Sequence, residues 1–261
     1  VSYKELSHVY DIIYDRPEAT RQEMEFFQWA FANLADVRVK TVLDAAAGTG
    51  RHVIPLSQQG YEVTAADASI EMLDVLRNKL QGAAVPILHW DVRELDFESR
   101  FDAVLMIFSA FNHLQTDYDA ARALKVIHRA LTSGGILIFD VANFHNLLGR
   151  FKDSEVTTHE KDTIRILRIL RHTVDDVDAM FIHDETSLVE QDGCVKTFHM
   201  TIPLRMYTRH EIERLLREAG FETVHCFRGW QDRKEEGKKT FHMVFVAKKS
   251  LAEIGKTTKR L

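Results

Sequence analysis

Apolar positions recur at two spacings along this chain, and the change from one to the other divides it. From Glu18 to Ala35 (EATRQEMEFFQWAFANLA), Met24, Phe27, Phe31 and Leu34 fall three and four residues apart, which is one face of an α-helix. Pro17 stands at the start of that run, where its missing N–H costs nothing. Short apolar runs then alternate with helical segments. Lys40–Ala45, Tyr61–Ala66, Val85–His89, Phe101–Ile107 and Gly135–Asp140 read as strands. His52–Gln59, Ser69–Leu80 and Asp117–Leu131 carry the helical period between them. This alternation predicts right-handed crossovers and a parallel sheet covered by helices on both faces.

After Asn143 the rhythm breaks. Thr163–Val174, Met180–Val189 and Val195–Met206 are β-rich stretches separated by polar links at 175–178 and 191–193. Antiparallel strands joined by turns are the natural reading. A helical period returns over Thr208–Ala219, with Thr208 and Glu211 spaced as a capping box and Gly220 as the stop. Glu222–Arg228 and Thr240–Lys248 close the chain as two more strands. The spacing of Arg165, Arg168 and Arg171 leaves two readings open, an anion-binding group or an amphipathic helix. The expected architecture is α/β and doubly wound, with a mostly parallel seven-stranded sheet built from residues 1–151 and 204–261. Residues 152–203 form a β-rich insertion expected to act as an antiparallel lid over the substrate.

Composition narrows the classes. Hydrophobic residues make up 45% and charged residues 28%, as in an ordinary globular protein. Apolar stretches such as Ala103–Phe108 are far too short to cross a bilayer, so no membrane partner is expected. Lys4, Glu5 and Asp11 interrupt the N-terminal segment, which lacks the apolar core of a secretory signal. Cys194 and Cys226 form no CxxC pair, which opposes a disulfide framework and fits a cytoplasmic location. The net charge of −5 opposes a nucleic-acid partner, and the mixed-sign runs 233–239 and 256–260 read as solvated loop and tail. His172, His183 and His199 lie in three different expected strands. They read as surface histidines, and no metal is expected.

The stretch Thr41–His52 (TVLDAAAGTGRH) carries the first chemistry. A strand delivers Asp44 to the carboxyl edge of a sheet, and Gly48 and Gly50 allow a tight turn that approaches a ligand closely. The third glycine of a nicotinamide-type fingerprint is replaced by Val53, and no Lys-Ser/Thr follows as in a P-loop. An acid before the loop would repel a pyrophosphate but would suit an ammonium group. Asp67 ends the next strand, placed to accept hydrogen bonds from ribose hydroxyls. Asp91, in HWDV, ends the third strand and suits an adenine amino group. Met72 offers the ring a flexible apolar surface.

On these stretches, with FDAVLMIFSAFNHL, LTSGGILIFDV, EIERLLREAGF and FHMVFVAKK, the chain resembles the class I S-adenosylmethionine-dependent methyltransferases from about Tyr10 to Lys248. The resemblance implies a Rossmann-like fold whose last strand runs antiparallel, with S-adenosyl-L-methionine as cofactor. It implies a cofactor-contact set of Tyr10, Tyr14, Asp44, Ala45, Gly48, Thr49, Gly50, Asp67, Ala68, Met72, Asp91, Val92 and Phe108. Ala46-Ala47 depart from the Cys or Gly that many relatives carry, but small side chains are kept. Within the family the chain is most similar to small-molecule N-methyltransferases of the amino-sugar N,N-dimethyltransferase and glycine/sarcosine types. Tyr10-Asp11, Tyr14, FSAFNHL and the β-rich insertion carry that likeness.

Methyl transfer from a sulfonium needs alignment and exclusion of water more than a conspicuous catalytic group. An amine acceptor must still shed a proton, and a histidine suits that task. His113 follows the fourth strand at the carboxyl edge, where the related amino-sugar enzymes also carry a histidine. It is the candidate acid/base or orienting group. The expected partner is a small-molecule methyl acceptor, with a homodimer left open. O-methylation, aminopropyl transfer and cofactor binding without turnover remain the alternative functions.

Overall fold

In the computed structural model, which describes residues 4–149, 151–235 and 241–251, the period-3.6 and period-2 segments fold largely as their patterns dictate. The first part runs α1 (Tyr10–Tyr14), α2 (Pro17–Asn33), β1 (Thr41–Asp44), α3 (Val53–Gln58), β2 (Glu62–Asp67), α4 (Ile70–Leu80) and β3 (Ile87–His89). It continues with β4 (Phe101–Met106), α5 (Asp117–Ala130), β5 (Leu131–Ala142) and α6 (Phe144–Leu148). A separate group follows, β6 (Ser154–Lys161), β7 (Ile164–Asp175), β8 (Met180–Gln191) and β9 (Cys194–Arg205). The chain then returns through α7 (Arg209–Glu218), β10 (Thr223–Phe227) and β11 (His242–Lys248). The charged run 233–239 lies partly, and the tail 256–260 wholly, outside the described residues, as does Thr240.

Seven strands form one sheet in the order β10-β11-β5-β4-β1-β2-β3. Neighbours from β3 to β5 are parallel, while β11 runs antiparallel to both β5 and β10. Each face buries its own apolar layer. Phe26, Phe27 and Phe31 of α2, with Leu56, Leu73 and Leu76, cover one face. Ala123, Leu124 and Ile127 of α5, with Ile212, Leu215 and Leu216 of α7, cover the other. Thr208 caps α7, and the capping box with Glu211 is formed.

The insertion is a four-stranded antiparallel sheet in the order β6-β7-β8-β9. Its first strand is not evident in the sequence. SEVTTHEK is polar at every position but Val156, and as an edge strand it leaves that residue exposed. Leu6, Val9 and Ile13 pack with Ile166 and Val189, so the N-terminal segment lies against the inner face of this sheet. A two-residue period puts Arg165 and Arg171 on the outer face and Arg168 on the inner one, which excludes the amphipathic helix. The anion that Arg168 binds is Glu185, through Nε (2.7 Å) and Nη2 (2.6 Å). His172 and His183 stand opposite each other and bond ring to ring at 3.0 Å, whereas His199 bonds Thr186. Among the described residues no group of three metal-capable side chains occurs, and no helix is long and apolar enough to cross a membrane.

Candidate active site

The carboxyl ends of β1, β2, β3 and β4 open together, and the turns that follow them enclose a cavity of ≈ 320 Å³. After β1 the chain turns through Gly48 at φ +51°. The Gly48 amide donates to Asp67 Oδ2 at 2.8 Å, and the Ser69 amide donates to Oδ1 at 2.8 Å. These two bonds fix the Asp67 carboxylate between the first and second turns. Burial nevertheless pushes its pKa above the ordinary carboxylate range.

The two glycines of the loop do different work. A Cβ at Gly48 would meet nothing within 4 Å, because the cavity lies over it. A Cβ at Gly50 would collide with Leu76 Cδ1, and its φ of +89° disfavours any side chain. Gly50 thus lets α4 pack against the loop. Gly50→Ala is expected to cost roughly 2–4 kcal/mol through overpacking and backbone strain, against about 1–2 kcal/mol for Gly48→Ala. Thermal denaturation of the two variants checks this, and equal losses would contradict the packing role.

Asp44 ends β1 at 1% exposure. Its Oδ1 accepts a long bond from the Ala46 amide (3.4 Å), and its Oδ2 has no partner among the described residues. Burial pushes its carboxyl pKa up to about 6. An orphaned buried carboxylate oxygen is costly, and a cationic donor held against the β1 turn would relieve it. At the other end, Asp91 caps the short turn Val92–Glu94. Arg93 grips both of its oxygens, through Nε at 2.9 Å and Nη2 at 2.7 Å, and holds the carboxyl below its usual range. Trp90 and Met72 give the same end of the cavity two apolar surfaces.

A second cavity of ≈ 600 Å³ adjoins the first and shares Tyr10, Ala46, Gly48, Ile107 and Phe108 with it. Tyr10 and Tyr14, one helical turn apart, pack with their rings tilted at 44° and ring centroids 4.6 Å apart, and the Tyr14 ring meets Phe108 edge-on at 5.7 Å. Tyr14 Oη accepts from Arg168 Nη2 at 2.9 Å, which ties the insertion to the mouth of the site. Thr49 Oγ1 donates to Asp11 at 2.6 Å, and Lys79 pairs with the same carboxylate.

His113 ends a single 3-10 turn, Ala110–His113, and lines the first cavity. Burial lowers its pKa to about 4, so its imidazole is neutral at physiological pH. The buried Asn112 fixes that turn: Nδ2 donates to the Arg205 carbonyl (2.6 Å), and Oδ1 accepts from the Ala142 amide (3.1 Å).

The structure therefore gathers Tyr10, Ala45, Gly48, Asp67, Ala68, Met72, Asp91, Val92, Phe108 and His113 around the first cavity. Tyr14 and Thr49 line the second, while Asp44 and Gly50 sit behind the loop and line neither. Sequence reasoning missed Trp90 and Asn112, although both stand inside stretches it singled out, HWDV and FSAFNHL. Arg51 in the second cavity was missed as well, although it stands inside TVLDAAAGTGRH, whereas Arg16 carried no such signal.

Residues 42–135 match a family model described as a methyltransferase domain. A putative methyltransferase, YqeM, of Bacillus subtilis is 29% identical over 240 residues, covering 91% of this chain and 95% of its own. A glycine/sarcosine N-methyltransferase of Aphanothece halophytica is 30% identical over 233 residues, covering 87% and 82%. Among solved structures, an S-adenosylmethionine-dependent methyltransferase of Clostridium acetobutylicum superposes with a TM-score of 0.80 at 20% identity, covering 95% and 99%. The sugar N-methyltransferase KedS8 of Streptoalloteichus superposes with a TM-score of 0.76 at 22% identity, covering 92% of each chain. At these identities the two structures show the fold.

The sheet order, the antiparallel final strand and the turns clustered at its carboxyl edge define a Rossmann-like α/β fold. The chain belongs to the class I S-adenosylmethionine-dependent methyltransferases, in the group that includes small-molecule N-methyltransferases. Its cofactor is S-adenosylmethionine, and the clamped carboxylate of Asp67, which lines the first cavity, fits that molecule's ribose.

Proposed function

We propose that the enzyme methylates an amine nitrogen of a small molecule. The observation that carries this reading is the junction of the two cavities, where Tyr10, Ile107 and Phe108 wall a passage and His113 stands neutral in the first cavity. Asp67 would hold the ribose hydroxyls, Asp91 with Trp90 and Met72 the adenine, and the turn after β1, through Ala45, Ala46 and Gly48, the methionine end. When bound, S-adenosylmethionine supplies a methyl already activated on sulfur, so the N–C bond forms as the S–C bond breaks.

The chain's own part is alignment. With a pKa of about 4, His113 is a weak proton acceptor but a good hydrogen-bond acceptor, able to turn an amine's lone pair toward the methyl. The second sheet, in the insertion 152–203, acts as the lid. Lys161 reaches the second cavity, and Arg168 holds Tyr14 at its mouth. The names of the Aphanothece and Streptoalloteichus proteins, an amino-acid and a sugar N-methyltransferase, support nitrogen as the acceptor atom. The acidic balance opposes a nucleic-acid acceptor, and the unpaired Cys194 and Cys226 suit a reducing cytoplasm.

His113→Ala is expected to lower kcat by about 100-fold while S-adenosylhomocysteine binds as before, since misalignment costs turnover rather than cofactor affinity. Steady-state kinetics on an amine found by screening, paired with calorimetry, checks this. Full turnover by the variant would remove His113 from the mechanism.

A further inference from the structure

Behind the turn that follows β4 lies a charged group that lines neither cavity. Asp140, near the end of β5, is fully buried. Its Oδ2 accepts from the Ser109 amide (3.0 Å), from Ser109 Oγ (3.2 Å) and from His242 Nδ1 (2.7 Å). Its Oδ1 has no partner among the described residues. A buried carboxylate satisfied on one side only is unfavourable, and such groups persist where they hold something the site needs.

What Asp140 holds is a strained turn. Phe108 and Ser109 are adjacent residues with φ of +66° and +56°, in the left-handed region that a Cβ disfavours. The Phe108 ring stands at the junction of the two cavities, with the Arg51 and Arg16 guanidinium carbons 5.3 and 5.8 Å from its centroid. Five residues after Phe108 the same turn presents His113, and Asn112 pins its far end. The near end is held by Asp140.

From this geometry we infer that Asp140 and His242 form a latch that positions the turn 108–113 for methyl transfer, acting through Phe108 and His113. The inference rests on the methyltransferase class of the chain and not on which acceptor it takes. His242 is faced by Asp140 from β5, by Ser109 from the turn, by Glu23 from α2 and by Arg16 from the segment before it. Burial alone would lower the histidine's pKa, but the hydrogen bond and charge of Asp140 outweigh it, and the charged form is favoured beyond the ordinary range. A raised histidine stabilises the latch fully below its ordinary pKa and loses that contribution as pH rises through the raised value.

The test is hydrogen exchange of the full chain, followed by mass spectrometry over residues 107–114, with calorimetric titration of S-adenosylhomocysteine in parallel. In Asp140→Asn and His242→Ala, protection of that segment is expected to fall about tenfold, the worth of a hydrogen bond to a charged group, with S-adenosylhomocysteine affinity unchanged. His242→Asn supplies an uncharged N–H where Nδ1 stands. It is expected to restore protection near neutrality and to abolish its decline at higher pH. Should Asp140→Asn fail to fold, the two His242 variants decide alone. Unchanged protection in the folded variants, loss spread evenly over the whole sheet, or affinity falling in step with protection would each overturn the latch.

Discussion

Asp67→Ala is expected to weaken S-adenosylhomocysteine binding by about 100-fold or more, with the protein still folded. The carboxylate would give the ribose two charge-assisted hydrogen bonds, each worth about 1.5–3 kcal/mol. It also receives the Gly48 and Ser69 amides, so the substitution releases the turn on which the ligand rests. Asp67→Asn separates the two effects, because the amide oxygen keeps one backbone bond while the charge is lost. An affinity between those of wild type and Asp67→Ala is expected for it. Titration calorimetry, with a melting curve to confirm folding, checks both. Wild-type affinity in folded Asp67→Ala would remove this residue from the cofactor site.

The largest expected loss of stability comes from Arg168→Met. Arg168 and Glu185 have side-chain exposures of 7% and 0%, and the substitution strands the carboxylate. Breaking such a pair costs about 3–5 kcal/mol, which lowers the melting temperature by roughly 10 °C in a chain of this size. Replacing both partners, Arg168→Met with Glu185→Leu, is expected to recover most of that loss. Burial alone would raise the Glu185 pKa, but hydrogen bonds from Arg168, His183 and Ser187 outweigh it and bring it to about 2. A depressed carboxylate contributes stability above its ordinary range and loses it as pH falls toward the folded value. Wild type is therefore expected to lose stability between the ordinary carboxylate range and pH of about 2, a slope that the double variant lacks. Acid titration monitored by circular dichroism measures it. A double variant no more stable than Arg168→Met would show that packing, and not the stranded charge, sets the cost.

Local signals carried most of the architecture. The parallel strands are short apolar runs bounded by glycine or aspartate, and α7 announces itself through its capping box. β6 left no such mark, because SEVTTHEK is an edge strand with little apolar surface to hide. β5 begins at Leu131, directly after α5 and not at Gly135, because its first residue pairs with Phe101 ahead of a register shift. Of the site, what lies at strand ends was legible, since Asp67 is the last residue of β2 and Asp91 stands two residues past β3, where it caps the next turn. Groups assembled across long separations were not. Asp140 and His242 stand 102 residues apart, and nothing local marks either one as the partner of Ser109. Arg168 and Tyr14 are likewise brought together only when the insertion folds over the N-terminal segment.

The most direct test of nitrogen methylation is to incubate the enzyme with methyl-labelled S-adenosylmethionine and a panel of amino acids, amino sugars, simple amines and their hydroxyl counterparts, and to locate the label by fragmentation. Label on an amine nitrogen, lost when that nitrogen is replaced by oxygen, is the expected result. Label on a hydroxyl oxygen, or none on any amine from protein shown to bind the cofactor, would contradict it.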